Sequence, residues 1–397
     1  MSNEAVMDKM KPIIVLDGDV CIQLIRGAEE LFKLGASDIR IQSDDFIFAY
    51  INRTWVKSSN RRLEDGEIRA IVCYLYSGQS GLGLLGDGKP LDFEAVMQPD
   101  PDNDPDRTLR CRSNITASRV GIVANGISIV LRTIPDLPMK WDSMNVEPEI
   151  TEAFFPSQGL CLVVGITGSG KSTFLSSSVR YRIEVIKKPI AIGTYEDPVE
   201  YVFTRLPLGG MPEVAQIQIG RNLAEFGLVA PNVLRRKYDV VLVGEMRDKP
   251  SIETAMLIAD SGHATYGTLH AETPATAFTR VISEFPVEQQ PAVATKMLEN
   301  IRIIVAQKIE RTIAGKGLAV RSWCVFDREL KEELGDQPYP KWARMIRNHM
   351  NKRGTSFDER SWTLLRDGVI DLDAFTRLSG MNLREARDFL SAKGLEC

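Results

Sequence analysis

The pattern of apolar and polar positions in the first third of the chain predicts an α+β domain over residues 1–133. Apolar residues recur at helical spacing over residues 20–34 and again over residues 64–76. Apolar runs that are typical of strands occur at residues 38–42, 46–52, 92–97, 108–116 and 126–133. The acidic, proline-rich stretch 99–106 predicts an exposed hairpin tip between two of these strands.

The rest of the chain shows three further patterns. Residues 134–158 are interrupted by prolines, and we interpret them as a linker. Over residues 159–326 short apolar strands alternate with helical stretches, which predicts a mostly parallel sheet with helices on both faces. Residues 327–397 are polar with helical spacing, and we expect a helical C-terminal appendage with aromatic anchors at Trp342, Trp362 and Phe375. The predicted fold class is therefore α/β.

Composition narrows the choice of partner and compartment. The net charge of −4 supplies no overall positive field, so we expect no direct sequence-specific nucleic-acid binding, although a local basic patch stays open. The six cysteines form no C-x-x-C pair and the chain has three histidines, which favours reduced thiols in the cytoplasm over a zinc site. We find no signal peptide and no apolar run of about 18 residues that could span a membrane. Any work at a membrane is expected to go through partners.

The strongest chemical signal is a phosphate-binding loop between a predicted buried strand and a predicted helix. Its sequence fits G-x-x-x-x-G-K-[ST] in full, and its candidate binding residues are Gly165, Thr167, Gly168, Ser169, Gly170, Lys171, Ser172 and Thr173. Glycines let successive N–H groups turn toward a phosphate, and the helix N-terminus favours the anion. Lys171 is expected to reach the β- and γ-phosphates of ATP, and the Ser172 hydroxyl to coordinate Mg²⁺. The alternative is an ordinary glycine-rich turn.

A second glycine pattern is weaker. Residues 81–86 match G-x-G-x-x-G, but they follow a helical segment and no predicted strand. We interpret this stretch as a flexible loop and consider a dinucleotide site the minor alternative.

Acidic residues follow two predicted strands. Glu245 ends the segment 239–245, which contains four consecutive apolar residues, and many P-loop enzymes place an aspartate at the position that Gly244 holds. Glu245 is therefore expected to orient or deprotonate the attacking water, unless it is only a helix-start charge. Glu196 and Asp197 end another strand and are candidates for polarising water, with Glu196 also supporting the metal from its outer shell. A solvated turn is the alternative for this pair.

Two histidines flank a third short strand. His270 follows residues 264–269, and a polar group at that strand end can hydrogen-bond a γ-phosphate. His263 stands at the start of the same strand. A lone histidine is more often structural, and we favour a functional role for His270 while leaving His263 open.

The order of these segments resembles the type II/IV secretion ATPases. The loop 165–173, the acidic segment 195–201, and residues 242–248 and 261–270 are similar to the Walker A, Asp box, Walker B and His box of that family. Residues 35–38, 91–93, 109–114 and 131–135 resemble its PAS-like N-terminal part. Residues 322–327 and the helical tail resemble the DotB/TraJ branch, which serves type IVB secretion or I-type plasmid conjugation, and we favour the TraJ type. Residues 299–303 stand where pilus retraction ATPases carry a different signature.

The resemblance implies a PAS-like domain, a RecA-like ATPase domain over 159–326, and a homohexameric ring that binds ATP between the two domains of a subunit. It assigns Arg112 and Arg132 to the γ-phosphate, with Arg110 as a third candidate and solvated surface arginines as the alternative. The implied function is ATP hydrolysis coupled to substrate transfer or machine assembly, at the cytoplasmic side of the inner membrane, with secretion components and a coupling protein or second ATPase as partners. A pilus motor, a DNA translocase and a nucleotide-dependent scaffold are the alternatives.

Overall fold

The structure is a computed structural model that describes residues 12–51, 54–76, 78–100, 103–104, 107–120, 123–134, 137–203 and 206–394. It divides into two compact units, residues 1–136 (unit 1) and residues 137–397 (unit 2). The N-terminal residues to which the signal-peptide argument applies, and part of the predicted hairpin tip at 99–106, lie outside the described residues.

Unit 1 contains a six-stranded sheet with the order β3-β2-β1-β6-β5-β4, in which every neighbouring pair is antiparallel. Its elements in chain order are α1 (Val20–Lys33), β1 (Ala36–Gln42), β2 (Phe48–Ile51), β3 (Thr54–Lys57), α2 (Asp65–Leu75), α3 (Ser80–Gly86), β4 (Leu91–Met97), β5 (Leu109–Val120) and β6 (Val123–Thr133). Asp19 caps α1 by accepting hydrogen bonds from the N–H groups of Cys21 and Ile22. The apolar side of α1 then joins Ile39 and Ile41 of β1 in one hydrophobic core.

The prediction of a flexible loop at residues 81–86 is wrong, because this stretch forms the short helix α3. Leu85 is buried in the core of unit 1, and Gly81 packs so closely on Tyr76 that an added Cβ would lie 3.0 Å from its ring. Gly81 therefore serves close packing of a helix rather than loop freedom.

Unit 2 is built on a seven-stranded sheet with the order β13-β12-β7-β11-β10-β8-β9. All neighbours are parallel except β12 and β13, which form an antiparallel hairpin. The strands are β7 (Gly159–Val164), β8 (Ala191–Glu196), β9 (Glu213–Gln218), β10 (Val240–Glu245), β11 (Ala264–Leu269), β12 (Ile301–Arg311) and β13 (Gly317–Val325). The helices that accompany them are α4 (Pro148–Ala153), α5 (Lys171–Tyr181), α6 (Val229–Arg236), α7 (Lys249–Asp260), α8 (Pro274–Ser283) and α9 (Gln290–Asn300).

The central strand β7 shows why its sequence is apolar throughout. Leu160 and Leu162 point into one hydrophobic cluster, whereas Cys161 and Val163 point into the cluster on the other face. Because side chains alternate along a strand, a sheet that helices cover on both faces needs apolar residues at every position. The alternation of strands and helices over residues 159–326 indicated this arrangement.

Of the segment 134–158 that the sequence analysis interprets as a linker, residues 137–158 belong to unit 2 and contribute to its core. A 3₁₀ turn at Trp141–Met144 and helix α4 bring Trp141, Ile150 and Phe154 into the cluster beneath the sheet. The Trp141 ring lies 4.8 Å from the ring of Phe174, which belongs to the helix after the glycine loop. Its aromatic residues give this proline-dotted stretch enough apolar surface to pack.

The C-terminal residues form five helices in the described part of the chain: α10 (Arg328–Gly335), α11 (Trp342–Arg353), α12 (Phe357–Arg366), α13 (Leu372–Ser379) and α14 (Leu383–Ala392). Trp342 and Phe375 are buried in the hydrophobic cluster that also holds β7 residues, and Trp362 packs against it partly exposed. The helical tail is thus continuous with the core of unit 2. Within the described residues, no helix has the length and apolar character that a bilayer-crossing segment requires.

Candidate active site

Three adjacent strands, β7, β11 and β10, bring the main candidate residues to one edge of the sheet of unit 2. The glycine loop follows β7, His270 follows β11, and Glu245 ends β10. Strand β8 lies on the other side of β10 and ends in Glu196. Carboxyl ends of parallel strands meet at a common edge, so the sheet order gathers residues that are far apart in sequence.

The loop between β7 and α5 has a backbone that only glycine adopts readily. Gly168 and Gly170 have φ angles of 80° and 83°, and Gly165 has a φ of 156°. A Cβ on Gly165 would lie 2.6 Å from the carbonyl oxygen of Gln307, so the loop also passes too close to β12 for a side chain. Thr167 and Gly168 are exposed, and Ser169 is buried.

Lys171 folds back over this loop from the first turn of α5. Its Nζ donates to the carbonyl oxygens of Gly165 at 2.8 Å and of Ile166 at 3.0 Å. Burial lowers the pKa of Lys171, while the carboxylates of Glu245 and Glu200 act to raise it. An ammonium group held only by neutral carbonyls could exchange them for the oxygens of a phosphate.

The next two residues occupy the start of the same helix. Ser172 is half-buried, and the Thr173 hydroxyl lies 3.0 Å from the hydroxyl of Tyr201. The first N–H groups of a helix have no partner within the helix, so a helix start is a usual setting for an anion.

The Glu245 carboxylate is bound by two neighbours. His270 Nε2 lies 2.5 Å from one oxygen, and Arg247 Nε donates to the other at 2.6 Å. The structure therefore brings Glu245 and His270 together, as the predicted edge of the sheet requires. His263 lies at the opposite end of β11, where its Nδ1 is 2.9 Å from the Ser261 hydroxyl, and it is not part of this group.

The close surroundings of Gly244 explain why β10 lacks the aspartate that many P-loop enzymes carry at this position. A Cβ at this position would lie 3.2 Å from both the Cα of Glu196 and the carbonyl oxygen of Tyr195. The pairing of β10 with β11 also shifts register between Val243 and Glu245, and such an irregularity re-aims the side chain that follows it. The local geometry thus leaves little room for a side chain at 244 and presents the next residue instead.

Glu196 and Asp197 are neighbours in sequence with different environments. Glu196 is 7% exposed and accepts a hydrogen bond from the Thr194 hydroxyl at 2.6 Å, and Gln216 Nε2 lies 3.4 Å from the same oxygen. Burial raises the pKa of Glu196 to about 7. Asp197 is exposed and lies 4.0 Å from Arg247, which also binds Glu245.

The three candidate arginines of unit 1 lie on its sheet, each beside a carboxylate. Arg112 of β5 stands directly opposite Arg132 of β6, and they pair with Asp92 at 2.9 Å and Asp38 at 2.8 Å. Arg110 differs, because it is 4% exposed and its Nε is bound to Glu94. Arg112 and Arg132 are therefore the accessible pair, and Arg110 is an interior residue.

Sequence reasoning missed several polar residues around the loop. Gln307 Nε2 donates to the carbonyl oxygen of Ser169 at 2.6 Å, and Arg321 Nε donates to Gln307 Oε1 at 2.9 Å. Gln216 donates to the carbonyl oxygen of Tyr201 at 2.7 Å and stands near Glu196. An amide after the apolar run 303–306 was the one available signal for Gln307, and no pattern indicated Arg321 or Gln216.

A glycine loop between a central strand and a helix, a lysine folded into it, and a glutamate at the same sheet edge define a P-loop nucleoside triphosphatase. The family model described as "Type II/IV secretion system protein" matches residues 110–354, and the chain belongs to this family.

The most informative relatives are ATPases. The type IV pilus retraction ATPase PilT of Pseudomonas aeruginosa is 30% identical over 287 residues, which cover 72% of this chain and 78% of PilT. The structure of the Legionella pneumophila ATPase DotB aligns with a TM-score of 0.78 and 32% identity over 89% of this chain and 94% of that chain. The Yersinia pseudotuberculosis ATPase DotB has the same TM-score of 0.78 at 28% identity, over 94% of this chain and 96% of that one. The chain is accordingly an ATP hydrolase of the DotB-like branch.

Proposed function

We propose that this protein is a hexameric ATPase that couples ATP hydrolysis to substrate transfer or machine assembly in a type IVB secretion or conjugation system. The observation that carries the proposal is the likeness to DotB, which extends over 89% of this chain and thus over both units. The resemblance of residues 322–327 and the helical tail supports the same branch. In this proposal residues 1–133 are a PAS-like domain, 159–326 a RecA-like domain, 134–158 their connection, and 327–397 the helical tail.

The proposed chemistry assigns roles within the sheet edge of unit 2. The loop from Gly165 to Thr173 binds the phosphates through its N–H groups, and Lys171 leaves its two carbonyls to contact the β- and γ-phosphates. Glu245 orients and deprotonates the attacking water. His270, 2.5 Å from Glu245, hydrogen-bonds the γ-phosphate and links its loss to the position of that carboxylate.

The residues at the sheet edge can hold Mg²⁺ only together with the phosphate oxygens of a bound nucleotide. The described residues include no group of three His, Cys, Asp or Glu side chains that could hold a metal by themselves. Mg²⁺ commonly takes few protein ligands and keeps water and phosphate oxygens. We assign the Ser172 hydroxyl to direct coordination and Glu196 to its outer shell, with Asp197 polarising water. When bound, the ion would neutralise phosphate charge.

The arginines of unit 1 complete the proposed site. Arg112 and Arg132 are cross-strand neighbours, so one movement of the sheet would carry both guanidinium groups toward a γ-phosphate. Their present carboxylate partners, Asp92 and Asp38, would be exchanged for phosphate oxygens.

The proposed location follows from the branch. The ring would work on the cytoplasmic side and associate peripherally with the inner membrane through secretion or conjugation components, among them a coupling protein or a second ATPase. No sequence-specific contact with nucleic acid is expected, and the net charge of −4 supports this.

Native mass spectrometry in ATP·Mg²⁺ tests the assembly. We expect a hexamer for the Glu245→Gln variant, which keeps the shape of the side chain but removes the base. Its phosphate release should fall by about 10²–10⁴-fold while nucleotide binding persists. Glu253→Gln is the matched control, because Glu253 is an exposed helix residue paired only with Lys249. If the parent protein were a monomer and still hydrolysed ATP at full rate, this result would contradict the proposed ring.

The same phosphate-release assay distinguishes the proposed secretion or conjugation ATPase from a DNA translocase. We expect equal rates with and without duplex DNA, and stimulation by DNA would favour the translocase instead. A pilus motor is the second candidate, favoured by the 30% identity to PilT. Producing Glu245→Gln in the native host should block protein or plasmid transfer and leave surface motility intact; the reverse pattern would favour the pilus motor.

A further inference from the structure

A buried polar chain leads from the phosphate loop to the first residues of unit 2. Gln307 of β12 and Arg321 of β13 stand directly opposite each other in the antiparallel hairpin, and they are 2% and 1% exposed. Gln307 contacts the loop through Ser169, and Arg321 donates to Gln307. Neither residue belongs to the group at the edge of the sheet described above.

We propose that Gln307 and Arg321 are positioning residues of the ATPase reaction, Gln307 by orienting a peptide of the phosphate loop and Arg321 by joining that loop to the segment Met144–Glu147 at the start of unit 2. The inference rests on the proposed role of the loop in binding phosphate.

The contact of Gln307 sets the direction of a loop N–H group. A trans peptide is planar, so the N–H of Gly170 points away from the carbonyl oxygen of Ser169. Because that oxygen is held by Gln307 Nε2 at 2.6 Å, the Gly170 N–H points away from β12. This is the orientation that a loop gripping phosphate through N–H groups needs. A Cβ on Gly170 would lie 2.8 Å from Gln307 Nε2, so glycine here allows the contact.

Arg321 connects Gln307 to the other end of the chain of contacts. Its guanidinium donates to the carbonyl oxygens of Met144 at 3.0 Å and Asn145 at 3.2 Å, and it lies 3.3 Å from the Glu147 carboxylate. A buried charge is costly unless it is paired and hydrogen-bonded. Here the pairing is complete, so the position of Arg321 is tightly determined and a shift of the loop must be shared with residues 144–147.

Glu147 extends the link to the helical tail. Its second oxygen accepts a hydrogen bond from Arg360 of α12 at 2.7 Å, and Arg360 lies over the ring of Trp323. One carboxylate therefore contacts two guanidinium groups from different parts of unit 2, one through each oxygen. If the contacts of Glu147 are weakened, we expect the position of the phosphate loop to change as well, because Arg321 connects the two.

Two variants of Gln307 separate orientation of the loop from support of the fold. Gln307→Glu loses the donor to Ser169 but keeps an acceptor for Arg321, so its Tm should stay near that of the parent. Gln307→Met loses both contacts and should also lower the Tm. Calorimetric titration with ADP should give a Kd about tenfold higher for both, the factor that corresponds to about 1.4 kcal/mol. Unchanged ADP affinity in a folded Gln307→Glu variant would overturn the role of Gln307.

A double-mutant cycle tests the link to the first residues of unit 2. If Gln307 acts through Arg321, the effects of Gln307→Met and Glu147→Gln on ADP affinity should be clearly less than additive when combined. Additive effects would overturn the link. Asn300→Leu is the matched control, because Asn300 is also a buried amide, and its side chain contacts Lys296 and Asp260.

Lys171→Ala distinguishes failure of this inference from failure of the proposed function. Loss of ADP binding in Lys171→Ala together with silent Gln307 variants would overturn the positioning role alone. Full ADP binding in Lys171→Ala would show that the loop does not bind phosphate. Both the positioning role and the proposed function would then lose their basis.

Discussion

The buried carboxyl group of Glu196 makes the stability of unit 2 depend on pH. Its pKa is raised by burial from 4.5 to about 7, and the Thr194 hydroxyl donates to it. The folded state therefore binds the proton more tightly than the unfolded state. The stabilisation is complete below pH 4.5 and is lost as the pH rises through about 7. At about 1.4 kcal/mol per pKa unit, a shift of this size corresponds to about 3 kcal/mol.

Glu196→Gln removes the proton and keeps an acceptor for Thr194 and a similar volume. In urea unfolding without nucleotide and with EDTA, we expect the parent to lose about 2.5 kcal/mol relative to the variant between pH 5 and pH 8. Tryptophan fluorescence suits the measurement, because four of the five tryptophans, Trp141, Trp323, Trp342 and Trp362, belong to unit 2.

Asp197→Asn is the control for this experiment. It removes the next carboxyl group along the chain, whose side chain is 53% exposed and not buried like that of Glu196. A constant free-energy difference between the parent and Glu196→Gln across the whole pH range would refute the reasoning, because it would mean that burial does not favour the protonated form of Glu196.

Three further predictions concern the loop, the arginines and the tail. Lys171→Ala should abolish detectable ATP binding in calorimetric titration, since it removes the one ammonium group folded into the loop, and retained binding would contradict its role. Arg112→Ala should lower kcat by about 10³–10⁵-fold with little change in ATP affinity, measured by steady-state phosphate release; equal kcat would argue for a solvated surface arginine. Phe375→Ala should lower the free energy of unfolding of unit 2 by about 3–5 kcal/mol in urea titration, because the ring is fully buried where α13 meets the core, and a loss below about 1 kcal/mol would show that the tail packs loosely.

The sequence motifs identified the family, and the comparison with DotB shows how much of the chain shares this likeness. Four ordered segments in unit 2 were enough to identify the family, because a phosphate loop and its strand-end partners impose particular residue types at short sequence spacing. The likeness to DotB over 89% of the chain extends this beyond the motifs to both units.

Local patterns predicted the elements that carry the site. The buried run of β7, the glycine loop and the helix that begins at Lys171 are adjacent in sequence, so propensity and spacing were sufficient. The same holds for α1, whose apolar spacing places its start and end within one residue of the observed helix. The prediction of a loop at residues 81–86 was wrong, because close packing of Gly81 on Tyr76 outweighs the low helix propensity of glycine.

The amino-acid sequence by itself determined the chemistry that is available: a lysine-bearing glycine loop, a glutamate and a histidine that each follow a short apolar strand. Only the tertiary structure decided which of these residues meet. The strand order β7-β11-β10-β8 places His270 against Glu245, buries Glu196 at the end of the strand next to β10 and leaves His263 at the far end of β11. On the other side of β7, strand β12 brings Gln307 to the loop across more than a hundred residues, and β13 sets Arg321 against Gln307. Strand order is set by how helices and strands share a common core, which no local spacing records.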